Sequence, residues 1–508
     1  MKTFVKVTIL LVLLTLMLVS SYLVGFAEEK VIKFGRTEDL VNLDPCDNFC
    51  MANWIIEYMV YDRLVEWNPD TTDTDTPFVP GLATEWEISP DGREYTFKLR
   101  EGVKFHNGEP FNAECVKVTL ERFITNESLR RRIYWTDLKE VEVVDDYTVI
   151  LRFNDSNVTC LVNQLVAPML PAKAFKEKGE EMFNIDGLIG TGAFTWGHWK
   201  RGQEIVVNKN PDYWGKPAYM DKFIYFTLGE QSTRLAAVIN GEIDVADGMN
   251  MDHIQMAEAS GNVEVIRLLA WDQIYLALKN DKPPFNDIKF RQAMDLAIDK
   301  EGIVRQILKG GRVTTGVLVP GIFGFDDSLV PEKQDIEKAK QLVKESNYDG
   351  RTIDIMVPVG WFPKEKEVAQ SIYGSFKEVG INSNLSILEP LAYFDVRFSG
   401  KYDIFLNEDL YNGDISQFLM RLIAIDTHKM GNINPEVQKL IFEQATITDE
   451  QKRIEVLREI EDIIKKDHGP IITICQFEDL YFQRKGIQGV RYYSDRIPDF
   501  RYARYEGW

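Results

Sequence analysis

Two periods of apolar residues run along the chain and predict where strands and helices fall. Alternation of period two marks Trp86/Ile88 and then Tyr95/Phe97/Leu99, with Pro90-Asp91-Gly92 as the turn of a hairpin. Val141 to Phe153 repeats this alternation around Asp145-Asp146. Helical spacing appears at Ile56, Met59, Val60 and Leu64, predicting a helix over Asn53–Leu64. Residues from about 77 to 185 therefore hold a small strand meander plus helices. Strands with Gly-rich loops follow, then a helix over Gln231–Asn240 and short strands at Val263–Ile266 and Ile274–Leu278. At Asn280-Asp281-Lys282-Pro283-Pro284 the texture changes to alternating helix and strand. Helices are predicted over Phe290–Gly310, Ile336–Ser346, Lys364–Val379, Pro435–Ala445 and Glu450–Lys466. Strands are predicted at Thr352–Pro358, Ile381–Leu388 and Tyr402–Leu406. The strand–helix–strand unit over 352–388 requires a parallel pairing, so this half is α/β.

The segment Glu94–Phe123 carries the densest local signals. Asn107-Gly108 supplies residues that tolerate positive φ, and Asn112 suits a helix N-cap. Phe111 can staple onto Val116, and Val116, Leu120 and Phe123 continue one helix face. His106 and Glu109, beside the turn, are expected to be solvated, and Cys115 to be a filler or a disulfide partner.

Composition narrows the function. The first 27 residues have Lys2 and Lys6 ahead of an apolar run, Val7–Val24, and small residues at Gly25 and Ala27. They predict a secretory signal peptide, with a retained membrane anchor as the alternative. No cysteine precedes Cys46, so a lipid-bearing cysteine at the cut is not expected. The net charge of −20 becomes −22 once Lys2 and Lys6 are removed, which disfavours nucleic acid and anionic membrane surfaces. Five cysteines (46, 50, 115, 160 and 475) leave at least one thiol unpaired. Asn126, Asn154 and Asn157 match the glycosylation pattern.

The stretch "FVPGLATEWEISPDGREYTFKLREGVKFHNGEPFNAECVKVTLER" resembles the signature region of family 5 extracellular solute-binding proteins, the peptide- and nickel-type receptors of ABC importers. "GTGAFTWGHWKRGQEIVVNKNPDYWG", "RLAAVINGEIDVA", "PPFNDIKFRQAMDLAIDKEGIV" and "DIEKAKQLVKESNYDG" are similar to further landmarks of that family, in the same order. The resemblance implies a two-lobed clamp of the periplasmic-binding-protein type (type II, cluster C), with an extra small α+β subdomain. Lobe I would hold 28–279, with the subdomain at about 77–185, and take back 477–508. Lobe II would hold 280–476, with crossings near Pro283-Pro284 and Cys475-Gln476. The implied role is capture of a short peptide for a membrane permease. The expected protein is an exported monomer, periplasmic or associated with the cell surface, with no catalytic residues and no cofactor.

Ligands of open α/β sheets bind beyond the carboxyl ends of strands. Two such ends carry aromatic and polar residues together. One delivers Gly360-Trp361-Phe362, and the other delivers Glu408, Asp409, Tyr411, Asn412 and Asp414. Trp361, Tyr411, Asn412, Asp414 and Asp409 are therefore the candidate ligand-binding residues, with Trp271, and more weakly Tyr275, beside the crossing. Asp244 and Glu242 are expected to solvate a helix end. In peptide-binding relatives an aspartate pairs with the peptide's ammonium; aligned on Asn412-Gly413-Asp414, that position is Tyr411 here. Asp409 or Asp414 could substitute after a local shift. Otherwise an oligosaccharide stacked on Tyr411 and Trp361 is the alternative ligand. His106, His198, His253, His428 and His468 lie scattered, and no metal site is expected. The secreted-hydrolase alternative lacks G-x-S-x-G and H-E-x-x-H, and its only paired acids would be Glu408, Asp409 and Asp414 on one loop. A sensor or chaperone role on the same clamp is a further alternative.

Overall fold

The computed structural model describes residues 29–68, 78–409 and 414–508. The expected signal peptide, residues 1–27, lies outside them. The first half contains β1 (Val31–Arg36), α1 (Met51–Val60), β2 (Ala83–Ile88), β3 (Glu94–Leu99), α2 (Ala113–Thr125), β4 (Leu138–Asp145) and β5 (Thr148–Phe153). It continues with β6 (Phe194–Lys200), β7 (Glu204–Lys209), β8 (Lys222–Thr227), α3 (Gln231–Asn240) and β9 (Val245–Ala246). Strands β2, β3, β5 and β4 form a separate antiparallel sheet in the order β2-β3-β5-β4, backed by α2. This is the small subdomain, and its core is the alternation read from sequence: Tyr95, Phe97 and Leu99 are buried while Lys98 is exposed.

The second half adds β10 (Val263–Leu278), α4 (Ile288–Ala297), α5 (Ile336–Glu345), β11 (Ile353–Pro358), α6 (Glu365–Glu378) and β12 (Ser383–Leu388). It ends with α7 (Pro390–Ser399), β13 (Ile404–Asp409), α8 (Pro435–Gln444), α9 (Glu450–Asp467) and β14 (Ile471–Arg484). One large sheet runs through both halves in the order β12-β11-β13-β10-β14-β9-β1-β8-β7-β6, with Arg312–Val313 pairing onto β14. Strand β11 is parallel to both β12 and β13, as the βαβ unit requires.

The long strands β10 and β14 join the halves. Val263–Leu269 pairs with Glu478–Arg484; after a register shift, Gln273–Ala277 pairs with Ile471–Gln476. The buried cores divide at the same place. Ile266, Leu268, Tyr481 and Phe500 pack with Phe34 and Tyr225. Ala270, Ile274, Cys475 and Phe477 pack with Phe290 and Phe376. These are two lobes, and their crossing is Ala270–Asp272 with Phe477. The crossing expected at Pro283-Pro284 is thereby corrected. That pair follows the end of β10, whose last residues already bond β13 of the second lobe. The two strands expected at Val263–Ile266 and Ile274–Leu278 are one strand, because the buried charge of Asp272 interrupts the apolar pattern without interrupting the backbone. The predicted helix Phe290–Gly310 is broken after Ala297, where Asp299 caps a new turn through Gly302 N.

Several local expectations also change. His106 and Glu109 are not solvated. His106 donates its backbone N–H to Gly190 O (2.9 Å), and its ring sits between Gly190 N (3.3 Å) and Gly192 O (3.0 Å). Burial lowers its pKa. Glu109 accepts the backbone N–H groups of Lys173 (3.0 Å) and Ala174 (2.9 Å), capping the helix Ala172–Lys178. Asp244 is buried too. It accepts Lys33 N (2.7 Å) and the Tyr505 hydroxyl (2.5 Å), tying β1 to the C-terminal segment. Glu242 is exposed. All five cysteines are free thiols, and Cys115 is a buried filler. In Gly190-Thr191-Gly192 a Cβ at either glycine would meet the Val60 carbonyl oxygen, at 2.0 and 2.7 Å, so helix α1 packs there only against bare backbone.

Candidate functional site

Strand β13 ends in the residues that organise the second lobe's charged face. Asn407 and Asp409 leave the strand among Tyr275, Tyr393 and Arg397. The Tyr275 hydroxyl donates to Asp409 Oδ2 (2.8 Å), and Asn407 Nδ2 donates to the Tyr275 oxygen (2.7 Å). Arg397 reaches Asn407 Oδ1 (3.3 Å) and Asp409 Oδ2 (3.4 Å), and Arg421 pairs with Asp409 Oδ1. Burial opposes the Arg421 charge, but Asp409 beside it more than compensates and raises its pKa. Burial first, and Asp409 second, raise the Tyr275 phenol well above its usual range. Arg397 sits one helical turn after Tyr393 on α7, which places both against β13.

Trp361 follows β11 through Gly360, whose φ of 80° turns the chain. Its ring meets Tyr393 (5.0 Å) and Phe394 (5.2 Å) edge-on, and the Arg397 guanidinium lies 5.5 Å from it. Trp361 thus packs against the arginine that holds Asp409. His428 stacks on Phe398 at 5.1 Å in the same cluster. Burial, then Arg397 and Arg421, push its pKa well down, so it is neutral.

Asp414 belongs to a second anchor. Arg453 on α9 approaches both of its oxygens, at 2.8 and 2.7 Å, and Ser416 N donates to Oδ1 at 2.8 Å. Burial would raise the Asp414 pKa; Arg453 and these hydrogen bonds hold it below the usual carboxylate range. The Ser416 hydroxyl and Arg453 Nε both reach Gln444 Oε1. Tyr411 and Asn412 lie outside the described residues.

Trp271 stands at the crossing. Its backbone N–H donates to Ser494 O (2.8 Å), and its ring meets Trp67 of the first lobe at 6.1 Å. Gly321 of the second lobe approaches so closely that a Cβ there would lie 2.5 Å from Trp271 Nε1. A cleft of about 260 Å³ separates the lobes farther out. Tyr134, Asp137, Asn157 and Asn163 line its first-lobe wall; Gln417, Met420, Ile425 and Phe442 line the other. Among the described residues, hydrogen bonds cross it from Gln417 Nε2 to Asn163 Oδ1 (2.5 Å) and from Val158 N to Ala445 O (3.0 Å). Tyr134 lies within electrostatic reach of Arg421 and Asp409, so the β13 network backs this cleft.

Asp409, Asp414, Trp361 and Trp271 were expected from the sequence as candidates; Arg397, Arg421, Arg453, Tyr134 and Gln417, which stand beside them or line the cleft, were not. The one available signal was an arginine on the apolar stripe of a helix, as at Arg397. Asp295, Glu332 and His468 come within metal-ligand spacing, which the scattered histidines did not suggest. Lys300 already stands 2.6 Å from Asp295, and His468 lies 3.0 Å from it. Against the effect of burial, Lys300 and His468 hold the Asp295 pKa at about 2.

Residues 77–425 match the model for the bacterial extracellular solute-binding proteins, family 5. A probable D,D-dipeptide-binding periplasmic protein of Escherichia coli is 26% identical over 471 residues, 90% of each chain. A periplasmic binding protein of Helicobacter pylori, in complex with the peptide STSA, shares the fold with a TM-score of 0.83 at 24% identity, covering 94% of this chain and 99% of its own. A dipeptide-binding protein of Pseudoalteromonas, in complex with Met-Leu, does so with a TM-score of 0.85 at 21% identity, covering 94% of this chain and 100% of its own.

Proposed function

This chain belongs to family 5 of the bacterial extracellular solute-binding proteins, and on that premise we propose that it captures a short peptide between its lobes and delivers it to the membrane permease of an ABC importer. The observation that carries the reading is the cleft itself. Its two walls come from different lobes, hydrogen bonds bridge them, and the half-buried Asp409–Arg397–Arg421 network backs one of them. Relatives whose ligands are peptides have the same fold.

In this reading the lobes divide at the register shift of β10 and β14, near Leu269/Gln273 and Gln476/Glu478, and the paired strands act as the hinge. Ligand shifts the population toward the bridged state. A micromolar affinity requires about −8 kcal/mol, within reach of a closed polar and aromatic cleft. The strand-end carboxylates are already committed, Asp409 to two arginines and Asp414 to Arg453. Neither is free for the peptide's ammonium. Two guanidinia on Asp409 leave one positive charge in excess, which suits the peptide's carboxylate. Tyr411 and Asn412 are assigned a contact with the ligand in this reading, and Trp271 with Trp67 closes the hinge end of the cleft. Asp414 positions Ser416 and Gln417 for the bridge to Asn163. The protein works outside the cytoplasm as a monomer, and no covalent step is involved.

A thermal-shift screen with di- to pentapeptides and with oligosaccharides tests this reading. A bound peptide raises the melting temperature by mass action. A shift with oligosaccharides alone would overturn the peptide assignment while leaving the clamp intact.

A further inference from the structure

We propose that Asp272 and Glu408 share one proton at the crossing between the lobes, and that losing this proton opens the clamp. The inference rests on the clamp reading but on no particular ligand. Asp272 lies in the register break of β10 and Glu408 near the end of β13. Their side chains converge on one nitrogen of Arg496, Asp272 Oδ2 at 2.9 Å and Glu408 Oε1 at 3.5 Å. Two ionised carboxylates are both acceptors, so a hydrogen bond between them needs a proton. Asp272 Oδ1 and Glu408 Oε2 are buried without another partner, and a shared proton satisfies both.

The surroundings leave the pair short of positive charge. Arg496 comes from the C-terminal segment, whose Ile497 and Phe500 pack in the first lobe. Its guanidinium lies 2.9 Å from Asp272, 3.5 Å from Glu408 and 3.8 Å from Asp479 of β14. Next to them, Arg36 of β1 is paired with Asp247 and lies 3.6 Å from Glu38, and Arg234 of α3 holds backbone carbonyls near Asp247. Tyr481 of β14 faces Asp479, and Asp409 beside Glu408 is matched by Arg397 and Arg421. Five carboxyl groups (Glu38, Asp247, Asp272, Glu408 and Asp479) thus meet the three guanidinia of Arg36, Arg234 and Arg496, and one proton reduces the excess. Arg496 belongs to one lobe and Glu408 to the other, so the proton sits on the tie between them.

Burial raises Asp272 to about 6 and Glu408 well above its usual value; Asp272 contributes to the Glu408 shift. The sign follows from linkage. A carboxyl whose pKa is raised in the closed state favours closure fully below the ordinary carboxyl range. That contribution is lost as the pH rises through the raised value. Opening would let water reach Glu408, whose side chain is already 15% exposed, and the proton would leave.

Infrared spectroscopy and small-angle scattering of the ligand-free protein test this together. The wild type should show protonated-carboxyl absorption near neutral pH, and Glu408→Gln should lose one carboxyl's share of it, the share of Glu461 remaining. The wild-type radius of gyration should rise between about pH 5 and 8. In Glu408→Gln, whose amide can replace the shared proton as donor to Asp272, it should stay flat. Asp272→Asn, which breaks the dyad from the other side, should lose the same share of the absorption. Undiminished absorption in both variants, or identical pH courses in wild type and Glu408→Gln, overturns the proposal.

Discussion

Glu94–Phe123 and Ile404–Arg421 are both rich in polar residues, and they use them in opposite ways. In the first, polar side chains address the backbone. Asn112 caps α2 through Glu114 N, Glu109 caps a neighbouring helix, and His106 fills hydrogen bonds of Gly190 and Gly192. In the second, charged side chains address each other: Asp409 holds Arg397 and Arg421, and Asp414 holds Arg453. The first arrangement fixes a scaffold. The second leaves a net charge behind a cleft, where a ligand can use it.

The two regions should therefore respond differently to substitution. The largest effect is expected at Asp409. Asp409→Ala leaves a buried Arg397 and a half-buried Arg421 without their carboxylate, and urea denaturation should show a loss of about 3 kcal/mol. A loss below about 1 kcal/mol would mean that the network is solvated. Glu461 provides a test by pH. It is buried against Gly316, and burial pushes its pKa from 4.5 to about 8. Its neutral form favours folding fully below the ordinary value, and that contribution is lost as the pH rises through about 8. Glu461→Gln should thus gain about 2–4 kcal/mol above that pH and little in acid, as thermal melts at the two extremes would register. Equal shifts at both would refute the assignment. On the scaffold side, Asn112→Ala should cost about 1 kcal/mol in the same denaturation assay and leave ligand affinity unchanged. A loss of affinity there would remove the contrast between the regions.

The contrast also explains what the sequence made legible. The hairpin at 86–99, the Asn112 cap and the βαβ unit at 352–388 follow rules that act over a few residues, and the structure contains them. Asp409 and Asp414 were chosen because strand ends are where α/β sheets bind ligands, and the structure pairs both with arginines. Their partners were not chosen, because Arg421 is 12 and Arg453 39 residues away in the chain. The crossing was misplaced for a related reason. Asp272 reads as a break between strands, whereas Arg496, 224 residues later, lets the strand carry it buried. Trp361 was chosen as an aromatic delivered at a strand end; Tyr393, Phe394 and Arg397 on α7 show it half-buried among them.

Calorimetric titration of a peptide found in the screen, into wild type and into Arg421→Ala, tests most directly whether the β13 network serves the cleft. The account predicts at least a tenfold weaker affinity in the variant, a cost of about 1.4 kcal/mol or more, because the excess positive charge is gone. An unchanged dissociation constant in a folded Arg421→Ala protein would contradict it.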